Sequence, residues 1–284
     1  MAWNRLQELT LPRNSRSLRE CSIGALSRPR SSACRSGGSW NRETFTAERH
    51  GDLLRVVSLV PSSTETLLAL EADVIACTRF CEQPEITHVG GTKNPDVREI
   101  VALAPDLVVM DSEENRREDA EALERAGIRI YVSSVRDVAG AEHLVDDLAH
   151  LVGAEARSME AMPAPAIGRS SPRRVFVPIW RRPWMSIGVK TYGASMLDRL
   201  GYSLVTFGEE AYPTIDLADI VAGHPDIVVI PSEPYEFTEP HLDELRGVVP
   251  NVEIVRVDGR DLFWWGVRTP AALLRLSATL SRSV

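Results

Sequence analysis

Two Rossmann-like α/β lobes, joined by a helical connector and enclosing a ligand cleft, form the architecture that this 284-residue chain predicts. Three observations carry that expectation. From Arg55 onward short β-rich apolar runs alternate with helical stripes, the pattern of parallel sheets covered by helices. The segment IVALAPDLVVMDSEE (100–114) returns as IVAGHPDIVVIPSEP (220–234), with nine of fifteen positions identical at a constant offset of 120. Such self-similarity, with the flanking elements in the same order, marks a duplicated unit.

The elements follow in order. RVVSLVP is a strand stopped by Pro61, and SSTETLLALEA is a helix with Ser62 or Ser63 as its N-cap. DVIACT reads as the second strand, REIVALAP as a short helix and DLVVM as the third strand. NRREDAEALERAG is a helix closed by Gly127, and IRIYVS is the fourth strand. The second half repeats the order with RVFVP, TYGASMLDRLG, YSLVTF, ADIVAGHP, DIVVI, HLDELRG and VEIVRV. The division expected is an N-terminal lobe over 53–136, a connector over 137–172 and a C-terminal lobe over 173–284. In the connector Val138, Leu144, Val145, Leu148 and Leu151 share one helical face. A second helix is expected after Gly153, ending at Pro163 and Pro165.

Residues 1–52 are rich in Arg, Ser and Gly without apolar periodicity, and read as a disordered tail or a mis-called start, with the working fold beginning near Leu53. They lack the apolar core of a secretory signal, so the chain as written is expected in the cytoplasm, and outside it only if an export signal lies beyond this start. The tail carries nine arginines against five acids, so the remainder is more acidic than the chain's net −8. That argues against a nucleic-acid partner, and the lack of any long apolar run argues against a membrane span. Cys77 and Cys81 have no zinc-type spacing and are expected as reduced thiols, with no metal site and no cofactor.

In open parallel sheets ligands lie beyond the carboxyl ends of the strands. The loop TRFCEQP there presents Arg79 and Phe80, and VGGTKNPD presents Thr92 and Lys93. The stretch FVPIWRRPWMSIG follows the strand RVFV with Trp180, Arg181, Arg182 and Trp184. DGRDLFWWGVRTP follows VEIVRV with Asp261, Phe263, Trp264, Trp265 and Arg268. Four of the chain's six tryptophans sit in these two segments. Indole and guanidinium groups suit a broad ligand with anionic edges, and packing between lobes is the plainer use of the same rings. Ser62 and Ser63 sit at a helix N-terminus, where an anion is also welcome.

RVVSLVPSSTETLLAL, GGTKNPDVREIVALAPDLVVMD and AEALERAGIRIYV together resemble solute-binding proteins of the cobalamin and ferric-siderophore type, over about residues 55–280. RVFVPIWRRPWMSIGVKTYGASMLDRLG and DGRDLFWWGVRTPAALLRL are similar to the cobalamin-binding branch, the helical backbone metal receptors. The resemblance implies a non-catalytic receptor holding a corrinoid between its lobes, with a ferric siderophore as the alternative. It implies a pocket that includes Ser62, Ser63, Thr92, Trp180, Tyr192, Asp261 and Trp264. It also implies docking on an ABC-transporter permease through one acid per lobe, here Glu99 and Asp219. The chain departs from the pattern in its short, proline-broken connector and in Thr92 and Lys93 after the glycine turn. The rival class is a chelatase-like tetrapyrrole enzyme, for which only His88 lies near a cleft loop; a third reading makes the aromatic loops a surface for a protein partner.

Overall fold

The computed structural model describes residues 53–154 and 172–281. In the first lobe β1 (Arg55–Ser58) leads into α1 (Pro61–Ala69), followed by β2 (Asp73–Cys77), β3 (Thr87–His88) and a small hairpin of β4 (Gly90–Gly91) and β5 (Asn94–Pro95). Then come α2 (Val97–Leu103), β6 (Leu107–Asp111), α3 (Arg117–Arg125) and β7 (Ile130–Ser133). The main sheet is parallel in the order β3-β2-β1-β6-β7. β6 is buried along its whole length, as its unbroken apolar run requires of a strand covered on both faces. Helix α4 (Val138–Val152) then crosses to the second lobe. Asp137 caps it, and Gly153, in the left-handed conformation at φ 68°, ends it.

The second lobe holds β8 (Arg174–Phe176), β9 (Pro178–Trp180), β10 (Trp184–Ser186), α5 (Tyr192–Arg199), β11 (Ser203–Leu204), β12 (Thr214–Ile215) and α6 (Leu217–Ala222). It continues through β13 (Ile227–Pro231), α7 (Glu239–Val248), β14 (Glu253–Val257), α8 (Gly259–Phe263) and α9 (Thr269–Ser281). Its parallel sheet has the order β11-β8-β13-β14, which matches β2-β1-β6-β7 of the first lobe. The duplication reaches individual hydrogen bonds. The Arg55 amide donates to Asp106 at 3.0 Å and the Arg174 amide to Asp226 at 2.7 Å, so the Asp of each Pro-Asp pair ties down the start of the neighbouring strand. Asp96 caps α2 through the Glu99 amide, and Asp216 caps α6 through the Asp219 amide.

The largest apolar core runs through both lobes. Leu67 of α1, Leu144 and Leu148 of α4, Val175 and Val177, Met196 of α5, and Leu273 and Leu276 of α9 belong to one cluster of buried side chains. The crossing helix is therefore embedded in packing shared by both lobes. Of its expected apolar face, Val138, Leu144, Val145 and Leu148 are buried and Leu151 is half-buried. The helix expected after Gly153 lies outside the described residues.

Three local features differ from the sequence expectation. Val60, not Ser62 or Ser63, is the N-cap of α1; Pro61 starts the helix, so both serines fall inside the first turn. FVPIWRRPWMSIG, read as a loop, is a β9–β10 hairpin paired antiparallel and extended by β12. The C-terminal α9 had no place in the strand–helix repeat, and it supplies Ala272, Leu273, Leu276 and Leu280 to the shared core.

Candidate functional site

The carboxyl ends of the two parallel sheets face each other across a small cavity. From the first lobe Glu113, Glu114, Val135 and Arg136 line it; from the second come Ile179, Ile187, Tyr192, Tyr212, Phe263 and Trp265, among others. The wall is thus apolar and aromatic on one side and carries adjacent carboxylates on the other. Its free volume is about 40 Å³, against the ~300–1,000 Å³ usual for small-molecule pockets. A large guest enters only if this wall parts.

What closes the wall is a set of polar contacts. Arg136 pairs with Glu113 at 2.6 Å, and the Tyr212 hydroxyl reaches Glu113 across the cleft at 3.2 Å. Lys93 donates to the Glu113 carbonyl oxygen. Farther out, Arg268 grips Glu65 through two bonds of 2.6 and 3.0 Å, and Arg260 meets Glu82 at 2.9 Å, each pair spanning the lobes. The Val267 amide donates to Thr66 Oγ1 at 3.3 Å. The backbone comes so close there that a Cβ on Gly266, whose φ is 103°, would sit 2.1 Å from that oxygen.

Of the sixteen candidate ligand residues, Tyr192, Phe263 and Trp265 line the cavity. Tyr192 meets Trp265 edge to face at 6.1 Å and shares a 2.9 Å hydrogen bond with Thr269, so both rings are positioned. Trp180 and Trp264 flank the loop after β13, half-buried at one rim of the second lobe: Trp180 packs on Tyr235 at 5.0 Å and Trp264 donates to Glu233 at 2.7 Å. Neither indole is part of the enclosed cavity wall. Arg79 lies over Phe80 at 4.6 Å, and both pack over Gly91 of the glycine turn. Thr92 is buried, its carbonyl accepting from Asn115.

The remaining candidates lie outside the cavity wall. Trp184 is buried in the second lobe's own core, stacked on Phe237 at 5.8 Å, with Arg181 over its ring and paired to Glu244 at 2.7 Å. The expectation that Trp184 and Arg181 face the cleft is corrected: in a hairpin, alternate side chains go to opposite faces, and these two turn to the α7 side. Arg182 is exposed at the hairpin tip, with φ 74° ahead of a cis Pro183. Ser62 and Ser63 are buried beneath the α1 turn. Asp261 is held by Arg275 at 2.6 and 2.8 Å, and Arg268 lies near it at 3.7 Å.

Residues absent from the sequence-based selection dominate the polar wall: Glu113, Glu114, Arg136 and Tyr212. The signal was present in the repeat itself, because Ser-Glu follows the strand in both copies and makes Glu113 and Glu233 equivalent. Burial pushes the Glu114 carboxyl up to about 7; Lys93 opposes that rise, while Asp111, Glu113 and Glu233 add to it. Burial likewise raises Asp111, which is bonded to Ser133 and to the Glu113 amide, and lowers the Lys93 ammonium.

No group of three or more His, Cys, Asp or Glu side chains suited to a metal occurs among the described residues. Cys77 and Cys81 are buried free thiols, the latter contacted by the Thr64 and Thr78 hydroxyls at 3.2 Å. No described helix is long and apolar enough to cross a membrane.

Twin parallel α/β lobes that share a core and meet at their strand ends across a lined cavity define a bilobed solute-binding protein. The chain belongs to the periplasmic binding protein family, whose model matches residues 56–246. That is a family of substrate-binding proteins, which sets the chelatase alternative aside. Among curated relatives, the vitamin B12-binding protein of Yersinia pestis (strain Pestoides F) is 22% identical over 236 residues, covering 78% of this chain and 82% of that protein. That of Vibrio campbellii (strain ATCC BAA-1116) is 22% identical over 195 residues, 63% of this chain and 71% of that one. Among solved structures, the periplasmic vitamin B12 binding protein BtuF of Vibrio cholerae superposes with a TM-score of 0.64 at 18% identity, covering 81% of this chain and 98% of that chain. The periplasmic heme-binding protein RhuT from Roseiflexus sp. RS-1 gives 0.69 at 19% identity, with coverage of 81% and 98%. At these identities the structural likeness establishes the fold.

Proposed function

We propose that this chain is a receptor for cobalamin or a related corrinoid, held between the two lobes, with delivery to an ABC-transporter permease. The observation that carries the reading is a cavity walled by both sheets' carboxyl ends, with the Tyr192–Trp265 pair and Phe263 offering flat apolar surface on one side. The vitamin B12-binding relatives support the corrinoid; the heme-binding neighbour keeps other metal chelates, ferric siderophores included, as the alternative. On this reading Trp180 and Trp264 form the outer rim and meet the guest once the Glu113 contacts part. Arg79, Phe80 and Lys93 serve the opposite edge.

Permease docking falls to Glu99 and Asp219, exposed third residues of the symmetry-related helices α2 and α6. The working division remains 53–136, 137–172 and 173–284. Periplasmic relatives favour an extracytoplasmic receptor over the cytoplasmic location that the sequence suggested. Titration of the full chain with cyanocobalamin tests the reading. Saturable quenching of tryptophan fluorescence at one ligand per chain, with a shifted visible spectrum, supports it; no quenching at millimolar ligand refutes it.

A further inference from the structure

Every cation at the cavity already has an acidic or carbonyl partner. Arg136 is paired with Glu113 at 2.6 Å, Lys190 with Glu209 at 3.6 Å, and Lys93 with the Glu113 carbonyl oxygen. Farther out, Arg268 is taken by Glu65, Arg260 by Glu82 and Arg181 by Glu244, while Arg79 lies over Phe80 and the exposed Arg182 sits at the hairpin tip, neither of them part of the cavity wall. The acids are not balanced in return. Glu113 is satisfied by Arg136 and Tyr212, whereas the Glu114 carboxylate makes no hydrogen bond to any described residue. The charged groups acting on it most strongly are Lys93, Asp111 and Glu113 of its own lobe and Glu233 of the other, and the two further cations that line the cavity with it, Arg136 and Lys190, are paired with Glu113 and Glu209. The cavity therefore offers a spare acceptor and no spare cation.

Resting on the receptor reading above, we infer that Glu114 determines specificity, accepting N–H groups from an amide-fringed, uncharged metal macrocycle and rejecting macrocycles fringed with carboxylates. The physical reason is asymmetric. A primary amide can satisfy the carboxylate it desolvates, while a ligand carboxylate placed beside Glu114 finds no unpaired counter-charge and meets like charge, the Trp265 indole N–H being a donor on the opposite, aromatic wall. Of the cations that the sequence offered to an anionic ligand, Arg181 and Arg268 are paired with protein carboxylates and Lys93 with a carbonyl oxygen, whereas Arg79 lies over Phe80 and Arg182 is exposed at the hairpin tip, away from the cavity.

The test compares cyanocobalamin, whose edge carries amides, with haemin, whose edge carries two carboxylates, on the full chain at pH 8. The inference expects haemin to bind at least about tenfold more weakly than cyanocobalamin. Glu114→Gln should narrow that ratio by about tenfold, and Glu114→Lys should tighten haemin and weaken cyanocobalamin. Lowering the pH to 5.5 should mimic Glu114→Gln in the wild type and leave the variant's ratio flat. Tighter binding of haemin by the wild type, or a ratio that Glu114→Gln leaves unchanged, overturns the inference while leaving a receptor standing. Binding of neither ligand removes the receptor reading itself, and this inference with it. Urea unfolding of each variant keeps a folding defect separate from a change in selectivity.

Discussion

Breaking the clamp between Arg268 and Glu65 should loosen the lobes, and the size of the effect follows from its geometry. The guanidinium is 15% exposed, makes two hydrogen bonds of 2.6 and 3.0 Å to a carboxylate that is 35% exposed, and lies 5.2 Å from the centre of the Trp264 ring. An exposed pair is worth ~0.2–1 kcal/mol, and breaking a fully buried one costs ~3–5 kcal/mol. A bidentate pair with one partner one-third exposed lies between, at a coupling of about 1.5–2 kcal/mol. The assay is a double-mutant cycle of Arg268→Ala, Glu65→Ala and the pair, read by urea unfolding with tryptophan fluorescence. Arg268→Ala alone should cost about 2–3 kcal/mol, since it also strips the ring contact and leaves Asp261 to Arg275 alone. A coupling below about 0.3 kcal/mol would refute the view that this pair ties the lobes together.

Gly266→Ala should destabilise by at least about 2 kcal/mol, because its Cβ would lie 2.1 Å from Thr66 Oγ1 at a φ of 103°; an unchanged urea midpoint contradicts the close approach. The Glu114 carboxyl is raised in the folded state, so the native chain holds that proton more tightly than the unfolded one. Its contribution is therefore present at low pH and lost as pH rises from about 4.5 to about 7, at most about 3 kcal/mol. Glu114→Gln should flatten that slope in thermal melts taken across the window. Trp184→Ala should cost about 3–5 kcal/mol of stability, since its ring is stacked in the core. By contrast, Arg182→Ala, exposed at the hairpin tip, should leave the melting temperature unchanged.

The duplicated fold was legible because it rests on local signals. Apolar runs such as DLVVM and DIVVI are buried on both faces, and the repeated Pro-Asp pairs and capping aspartates recur at one offset. The candidate site was legible only as far as which loops converge. Trp265 and Phe263 reach the cavity, whereas Trp184, in an equally aromatic stretch, turns inward, since hairpin register decides the face and composition is blind to it. Arginines were the poorest guide. Whether Arg268 or Arg181 meets a ligand depends on Glu65, 203 residues away, and on Glu244, 63 residues away, and no local pattern reports such partners. Glu113 and Glu114 went unselected because acidic residues in a loop look solvated until the second lobe covers them.

Hydrogen exchange of the full chain with and without saturating cyanocobalamin tests most directly whether the guest sits between the lobes. The account predicts slowed exchange together in residues 112–116 of the first lobe and in 187–193 and 211–213 of the second. Protection confined to one lobe, or none despite bound ligand, would contradict it.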